Sequence, residues 1–348
     1  MADRKTKQSQ TSETVRDGVT IDDIAKRANV SKSTVSRVLN GSAVVNQQKQ
    51  DAVHQAVIDL DYTPNMFAQG LASGKSMTLG ILTQNIGSPF YAAIAQGVIE
   101  GLAGSGYTPL FVDGGWDHER EAVAIEALIS RKVDGLLIVG GDIAASELHS
   151  YEKQMPLIVV ARDINGLERR CVSVNNKQIG YMATKHLLEQ RHTQIAFIHG
   201  IEGHPDAQDR FAGHLEALQE AGISRSDELI YQGDFSGHAG LKAVNYLLNQ
   251  GISFSAIVAA NDMVALGSRL ALYRSGIRVP DDVSIIGCDD QAEAAFMTPP
   301  LTTIRQPSYE MGVVASKALL SSISNEDYEW SELAPELQIR ESVKRFTS

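Results

Sequence analysis

Apolar positions change their period along the chain. Between Ile21 and Leu60 they recur every three or four residues, whereas from Leu79 onward short unbroken apolar runs alternate with amphipathic stretches. In the first region Ile21, Ile24, Ala25 and Ala28 share one helical face, with Thr20 as N-cap and Asp23 three residues later completing a capping box. A turn at Asn29-Val30 follows, burying Val30, and Ser31 opens a second helix. Val35, Val38 and Leu39 of that helix face inward, while Lys32, Ser33, Ser36 and Arg37 face outward. A third helix is expected from Asn46 to Leu60 on Ala52, Val53, Ala56, Val57 and Leu60. Tyr62-Thr63-Pro64 should end it, because a residue before proline is pushed out of the helical region. Two short helices about a tight turn, with hydrogen-bond donors outward, have the form of a helix-turn-helix that reads a DNA major groove. The plainer reading is a helical hairpin with a solvated face.

Strand-like runs then follow at Leu79–Leu82, Pro109–Val112, Gly135–Val139 and Leu157–Val160, and a second series at Ile195–Ile198, Ala256–Ala259 and Val283–Ile286. Helices are expected between them, as at 92–105, 119–130, 179–190 and 210–221. Near-continuous β-branched runs alternating with helices predict an α/β fold of parallel sheets covered on both faces. The series restarts after Asn175, so two doubly wound subdomains are expected. Ligands of such sheets sit beyond the carboxyl ends of the strands.

The net charge of −11 at first argues against a nucleic-acid binder, but it is unevenly spread. Residues 1–76 hold ten Lys/Arg against eight Asp/Glu, a net of +2, leaving 21 against 34, or −13, for residues 77–348. The small helical region is the basic part. So slight a charge predicts weak DNA binding by one copy, since phosphate neutralisation supplies most non-specific affinity, and it points to a homodimer. Cys171 and Cys288 both lie in apolar runs and are expected to be reduced, buried thiols. His186, His192, His199 and His204 show no ligand spacing, so neither a metal nor a cofactor is expected. The polar start has no apolar core of a secretory signal and reads as a disordered arm over 1–18. No run of about 18 apolar residues suggests a membrane span. These features predict a cytoplasmic, nucleoid-associated protein.

The order DIAKRANVSKSTVSRVLNG closely resembles the DNA-binding headpiece of the LacI/GalR family of bacterial transcriptional repressors. The landmarks Ser88-Pro89-Phe90-Tyr91, Asp206-Ala207-Gln208-Asp209-Arg210 and Val279-Pro280-Asp281-Asp282-Val283 extend the resemblance to the family's periplasmic-binding-protein-like sensor fold. It implies a helix-turn-helix domain over 19–64, a hinge over 65–76 and an effector-binding, dimerising core over 77–348. Within the core it implies a first lobe of about 77–175 with 305–335, and a second of about 176–304 with the C-terminal segment. Leu301-Thr302-Thr303-Ile304 and the helix after it read as the return to the first lobe. The segment from Asn65 to Ser73 alone reads as a linker. The resemblance makes it a hinge helix in which Leu71 wedges between base pairs, with Asn65 and Ala68 beside it. Met66 and Gly70 depart from the family pattern there. The DNA-contacting set is then Thr20, Ile21, Ser31, Lys32, Ser33, Thr34, Ser36, Arg37, Asn40, Asn65, Ala68 and Leu71 on a pseudo-palindromic double-stranded operator.

For the effector, the strand ends and loops supply Phe90, Arg162, Arg210, Phe235, Asn261 and Asp289, planar polar groups beside aromatic faces. The resemblance gives Phe235 the role of packing on the ligand ring, and Arg210 and Asp289 that of gripping its polar edge. Each also has an ordinary reading. Asp289 would cap a helix, Arg210 would pair with Asp209 or Glu216 at the surface, and Phe90 and Phe235 would be core. Asp262 reads as a helix N-cap. The word DAQDR resembles galactose- and glycoside-responsive members, so the expected effector is a sugar or small glycoside that releases the operator. A nucleobase corepressor is the rival within the family, and a transport-type sugar-binding protein the rival outside it. No nucleophile elbow, P-loop or dinucleotide fingerprint points to an enzyme. No leucine heptad follows Ser342, so a dimer rather than a coiled-coil tetramer is expected.

Overall fold

The computed structural model describes residues 19–39, 45–62 and 75–347. The expected N-terminal arm and the candidate contacts Asn40, Asn65, Ala68 and Leu71 lie outside them. The chain divides into two compact units, residues 1–74 and 75–348.

In the first unit, helices α1 (Ile21–Arg27), α2 (Lys32–Leu39) and α3 (Gln47–Asp59) close on a small core of Ile24, Ala25, Val35, Val53 and Ala56. The Thr20 amide donates to Asp23 Oδ2 at 2.9 Å, and its hydroxyl donates to the same oxygen at 2.7 Å. Acidic Asp22 and Asp23 open α1 and basic Lys26 and Arg27 end it, both favourable to the helix dipole. Asn29 adopts φ 51°. Its amide donates to Lys26 O and that of Val30 to Ala25 O, a left-handed cap that satisfies two terminal carbonyls. Val30 ends half-buried rather than in the core. Asn46 caps α3 by accepting from the Gln48 amide at 2.9 Å. That helix stops at Asp59 through a similar cap, Asp61 at φ 48° with Tyr62 N donating to Val57 O, so it ends before Pro64 can act.

In the second unit a parallel sheet is ordered β2-β1-β3-β4-β5, from β1 (Thr78–Thr83), β2 (Thr108–Asp113), β3 (Gly135–Val139), β4 (Leu157–Val160) and β5 (Cys171–Val172). A second sheet is ordered β11-β10-β9-β8-β6-β7, from β6 (Ile195–Ile198), β7 (Ile230–Tyr231), β8 (Ala256–Ala259), β9 (Ser284–Asp289), β10 (Thr302–Arg305) and β11 (Glu336–Gln338). Only β11 runs antiparallel to its neighbour. The covering helices are α4 (Pro89–Gly101), α5 (His118–Ser130), α6 (Ala145–Glu152), α7 (Asn176–Glu189), α8 (Pro205–Glu220), α9 (Gly237–Asn249), α10 (Asp262–Arg274) and α11 (Ser308–Ile323). Leu301–Ile304 does not return to the first lobe. Thr302 to Arg305 pair with Ile286 to Asp289 in the second sheet, and the return begins with α11, which packs on α4, β3 and β4.

Two helices begin earlier than their periodicity suggested, α4 at Pro89 and α8 at Pro205. A proline at the first helical position loses no hydrogen bond and has its φ already set. Arg210 therefore lies in the second turn of α8 rather than at its start. At the α7–α8 crossing a Cβ on Gly180 would fall 1.8 Å from the Arg210 carbonyl oxygen, so glycine sets how closely α8 approaches. Cys171 and Cys288 are buried and unpaired with each other.

Candidate functional site

The outward side of α2 carries Ser31, Lys32, Ser33 and Arg37, all exposed, with Thr34 and Ser36 half-buried. Ser31 Oγ lies 2.8 Å from Ser33 Oγ and 2.9 Å from Thr34 Oγ1, and it accepts the Thr34 amide at 3.2 Å. Lys32 Nζ pairs with Asp22 Oδ1 at 2.6 Å. Such a surface pair is worth about 0–1 kcal/mol, so a phosphate can readily take the lysine. Thr20 is exposed at the start of α1, whereas Ile21 is half-buried against the small core. An Arg27–Asp59 ion pair ties α1 to α3. The arrangement presents polar donors on one convex helix face without breaking the core behind it.

In the second unit a cleft of about 390 Å³ opens at the carboxyl ends of both sheets. Phe90, Arg210, Phe235, Asn261 and Asp289 all line it. Arg162 does not. It follows Ala161, at φ 58°, after β4, and donates through Nη2 to Ile143 O at 3.1 Å. A larger groove of about 1120 Å³ runs past Pro156, Arg170 and Trp330, by the amino end of β4, where this fold does not bind ligands.

Arg210 is buried. Its Nε donates to Asn176 Oδ1 at 2.9 Å and its Nη1 to Ala260 O at 2.6 Å, and its guanidinium lies 5.7 Å from the Phe235 ring centre. It pairs with neither Asp209 nor Glu216; the latter takes Lys177. Asp289 caps no helix. Its Oδ1 accepts from Gln306 Nε2 at 2.6 Å and its Oδ2 from Gln291 Nε2 at 3.1 Å. Oδ1 also accepts from the Cys288 thiol at 3.6 Å, so Oδ2 keeps the lone pair for a ligand. Asn261, not Asp262, caps α10, accepting the Val264 amide at 2.9 Å while its own amide donates to Phe235 O at 3.1 Å. Asp262 lies beneath, accepting from Thr303 Oγ1 at 2.6 Å and the Gln291 amide at 2.8 Å. Burial, then the charge of Asp289, pushes its carboxyl well above the usual range.

Rings not anticipated from the sequence complete the cleft. Phe90 meets Tyr91 at 5.2 Å, Tyr91 meets Trp116 at 6.0 Å, Trp116 meets His204 at 4.6 Å and His204 meets Phe235 at 5.5 Å. Every contact is edge-on, with interplanar angles of 83°, 66°, 67° and 85°. The Trp116–His204 contact joins the two lobes. Desolvation lowers the His204 imidazole to about 4, and its Nδ1 accepts the Asp206 amide at 3.2 Å, so the ring is neutral. Trp116, Phe235 and Asp289 all hold positive φ, at 58°, 64° and 114°. Strain of this kind persists where surroundings over-determine the backbone, as at ligand clamps. Asp206, Asp234 and Gln306 are among the polar groups that sequence reasoning passed over. Gln306 follows β10 directly, so the strand-end rule applied to every strand would have found it, whereas Gly114 and Gly115 stand between β2 and Trp116.

Comparison with known proteins agrees with both halves. A profile of bacterial regulatory proteins of the lacI family matches residues 20–65. One of periplasmic binding proteins and the sugar binding domain of the LacI family matches residues 76–339. The transcriptional regulator GalR of Escherichia coli K12 is 34% identical over 307 residues, 88% of this chain and 90% of its own. The transcriptional repressor PurR of Aliivibrio salmonicida is 33% identical over 330 residues, 94% of this chain and 99% of its own. A crystal structure of the lac repressor dimer bound to operator and the anti-inducer ONPF superposes with a TM-score of 0.85 at 26% identity, covering 94% of this chain and 99% of that one. A headpiece and a sensing core, each matched by its own profile, with relatives spanning nearly the whole length, make this chain a member of the LacI family of bacterial transcriptional regulators.

Proposed function

We propose that the protein is a homodimeric repressor of carbohydrate-utilisation genes that leaves a pseudo-palindromic operator when an uncharged sugar or small glycoside enters its cleft. On this reading α2 enters the major groove with Lys32, Ser33, Ser36 and Arg37 toward phosphates and base edges, and Thr20, Ile21, Ser31 and Thr34 at its border. In the core, Arg210, Asp289 and Asp206 take the hydroxyls, and Phe235 takes the apolar face of the ring. The observation that carries the sugar reading is the ring geometry. A purine is held best by stacking on ring faces, and none of the four ring contacts that run through the cleft is itself stacked, all being edge-on. The presence of several rings, rather than Phe235 alone, is what the rival nucleobase reading has in its favour. Self-association is supported by the exposed Leu266, Leu270 and Tyr273 on one face of α10, with Tyr273 78% exposed.

No step of this function requires turnover, and its place of action is the cytoplasm, with the DNA. Effector and operator are linked. A sugar that prefers the DNA-incompetent state must weaken operator affinity by the factor by which operator weakens sugar. The test is operator affinity titrated with galactose, methyl β-galactoside, ribose, hypoxanthine and guanine. One sugar should weaken binding tenfold or more. Tighter binding with a purine, and no response to any sugar, would replace this reading by corepression.

A further inference from the structure

The charges around the cleft are unbalanced. Asp206, Asp234 and Asp289 line it against a single permanent cation, Arg210, and no lysine is among the lining residues. Arg210 already donates to Asn176 and Ala260, and the imidazole beside it is neutral. Asp234 is turned to its own loop, accepting the Ser236 amide at 2.9 Å. Asp289 Oδ1 is filled by Gln306 and the Cys288 thiol, and its Oδ2 accepts from Gln291. Asp206 differs from both. It stands one helical turn before Arg210 on α8, yet its carboxylate makes no ion pair or hydrogen bond among the described residues, its amide alone being engaged by His204. A half-buried acceptor left without donors, facing a cavity, is matched by a ligand that brings donors.

We propose that Asp206 is the specificity-determining residue of the cleft, taking hydroxyl donors of an uncharged sugar and excluding the same sugar when it carries a phosphate or sulfate ester. This rests on the sugar reading above and sharpens it. An ionised carboxylate only accepts hydrogen bonds. Two hydroxyls satisfy it, whereas an anionic ester brings acceptors and a like charge up to a carboxylate that has no donor to offer, in a cleft where Arg210 is outnumbered by Asp206, Asp234 and Asp289. Burial also holds the Asp206 carboxyl up at about 6, against the pull of Arg210 and with Asp209, Asp163 and Asp289 pushing the same way. A further anion there would find that environment already short of positive charge.

The test uses the full chain and paired probes, measured by calorimetry and thermal shift: galactose with galactose 6-sulfate, glucose with glucose 6-phosphate, ribose with ribose 5-phosphate. The sulfate keeps its charge across the pH range. The parent sugar that binds should exceed its ester by at least about 30-fold, a ratio worth about 2 kcal/mol. Asp206→Asn should weaken the sugar and reduce the ratio below about fivefold, while Asp206→Glu should restore discrimination. Because the ratio is taken within each variant, a general loss of stability does not mimic it. An ester that binds as well as its parent in the wild type, or an unchanged ratio in Asp206→Asn, overturns the inference and leaves the sugar reading standing. Binding of hypoxanthine or guanine with no sugar binding overturns both.

Discussion

The headpiece and the sensing cleft solve opposite problems with their functional side chains. On α2 the candidate contacts Lys32, Ser33 and Arg37 are exposed, and the residues that hold the fold, Ile24, Val35 and Val53, lie behind them. In the cleft, Arg210 and Asp289 are buried and bonded to the scaffold, so the groups proposed to read the ligand also hold the lobe together. Function and stability are separable in the first region and entangled in the second.

The largest expected effect tests that entanglement. Arg210→Ala leaves Asn176 and the Ala260 carbonyl without their donor inside the protein. It should lower the unfolding free energy of the core by about 3–5 kcal/mol, as breaking a buried charged network does, and abolish effector binding. Denaturant unfolding reads the first and calorimetry the second; a variant that lost ligand at full stability would show that the cleft is as separable as the headpiece. Next, Ile24→Ala removes a fully buried side chain from a core of few members. A loss of about 2–5 kcal/mol is expected in the headpiece, ending operator binding with the core transition unmoved. Arg37→Ala, on the exposed face, should leave both melting transitions in place. It should weaken operator binding by about 1–3 kcal/mol if it reaches a base, or reduce the salt slope by about 1 if it reaches phosphate.

The smallest effect lies in pH. The folded Asp206 carboxyl sits at about 6, above its usual value of 3.8, so its contribution to stability is fully present below about pH 4 and lost as pH rises through 6. Asp206→Asn should therefore raise unliganded stability at pH 7 by about 1–2 kcal/mol, the gain fading toward pH 4. His204, lowered to about 4, works in the opposite sense, destabilising as pH falls from 6.5 through 4. The difference between wild type and variant isolates Asp206, where the wild-type curve alone would not. Equal stability at pH 7 would mean that the carboxylate is better solvated than its position on α8 implies.

The contrast also governs what could be read in advance. The headpiece was legible because its signals are local. Thr20 with Asp23 and Ser31 with Thr34 cap within three residues, and the capped helices come out as expected. Alternating apolar runs likewise announced both sheets. The cleft depends on which strand ends converge, and a single sequence gives the ends without their convergence. Phe90, Arg210, Phe235, Asn261 and Asp289 were found as strand-end and loop residues, but Arg162, chosen on the same ground, turns toward Ile143 instead. Trp116 was missed because a glycine-rich loop separates it from β2, and Asp262 was misjudged because its neighbour Asn261 takes the cap.

The amide of Asn261 has an implication for anyone wishing to retune this sensor. One side chain both starts α10 and fastens the backbone of Phe235, so replacing it to admit a bulkier ligand would unseat a ring that lines the cleft. Altered responsiveness is better sought on the opposite wall, at Trp116, whose indole lines the cleft without anchoring a helix.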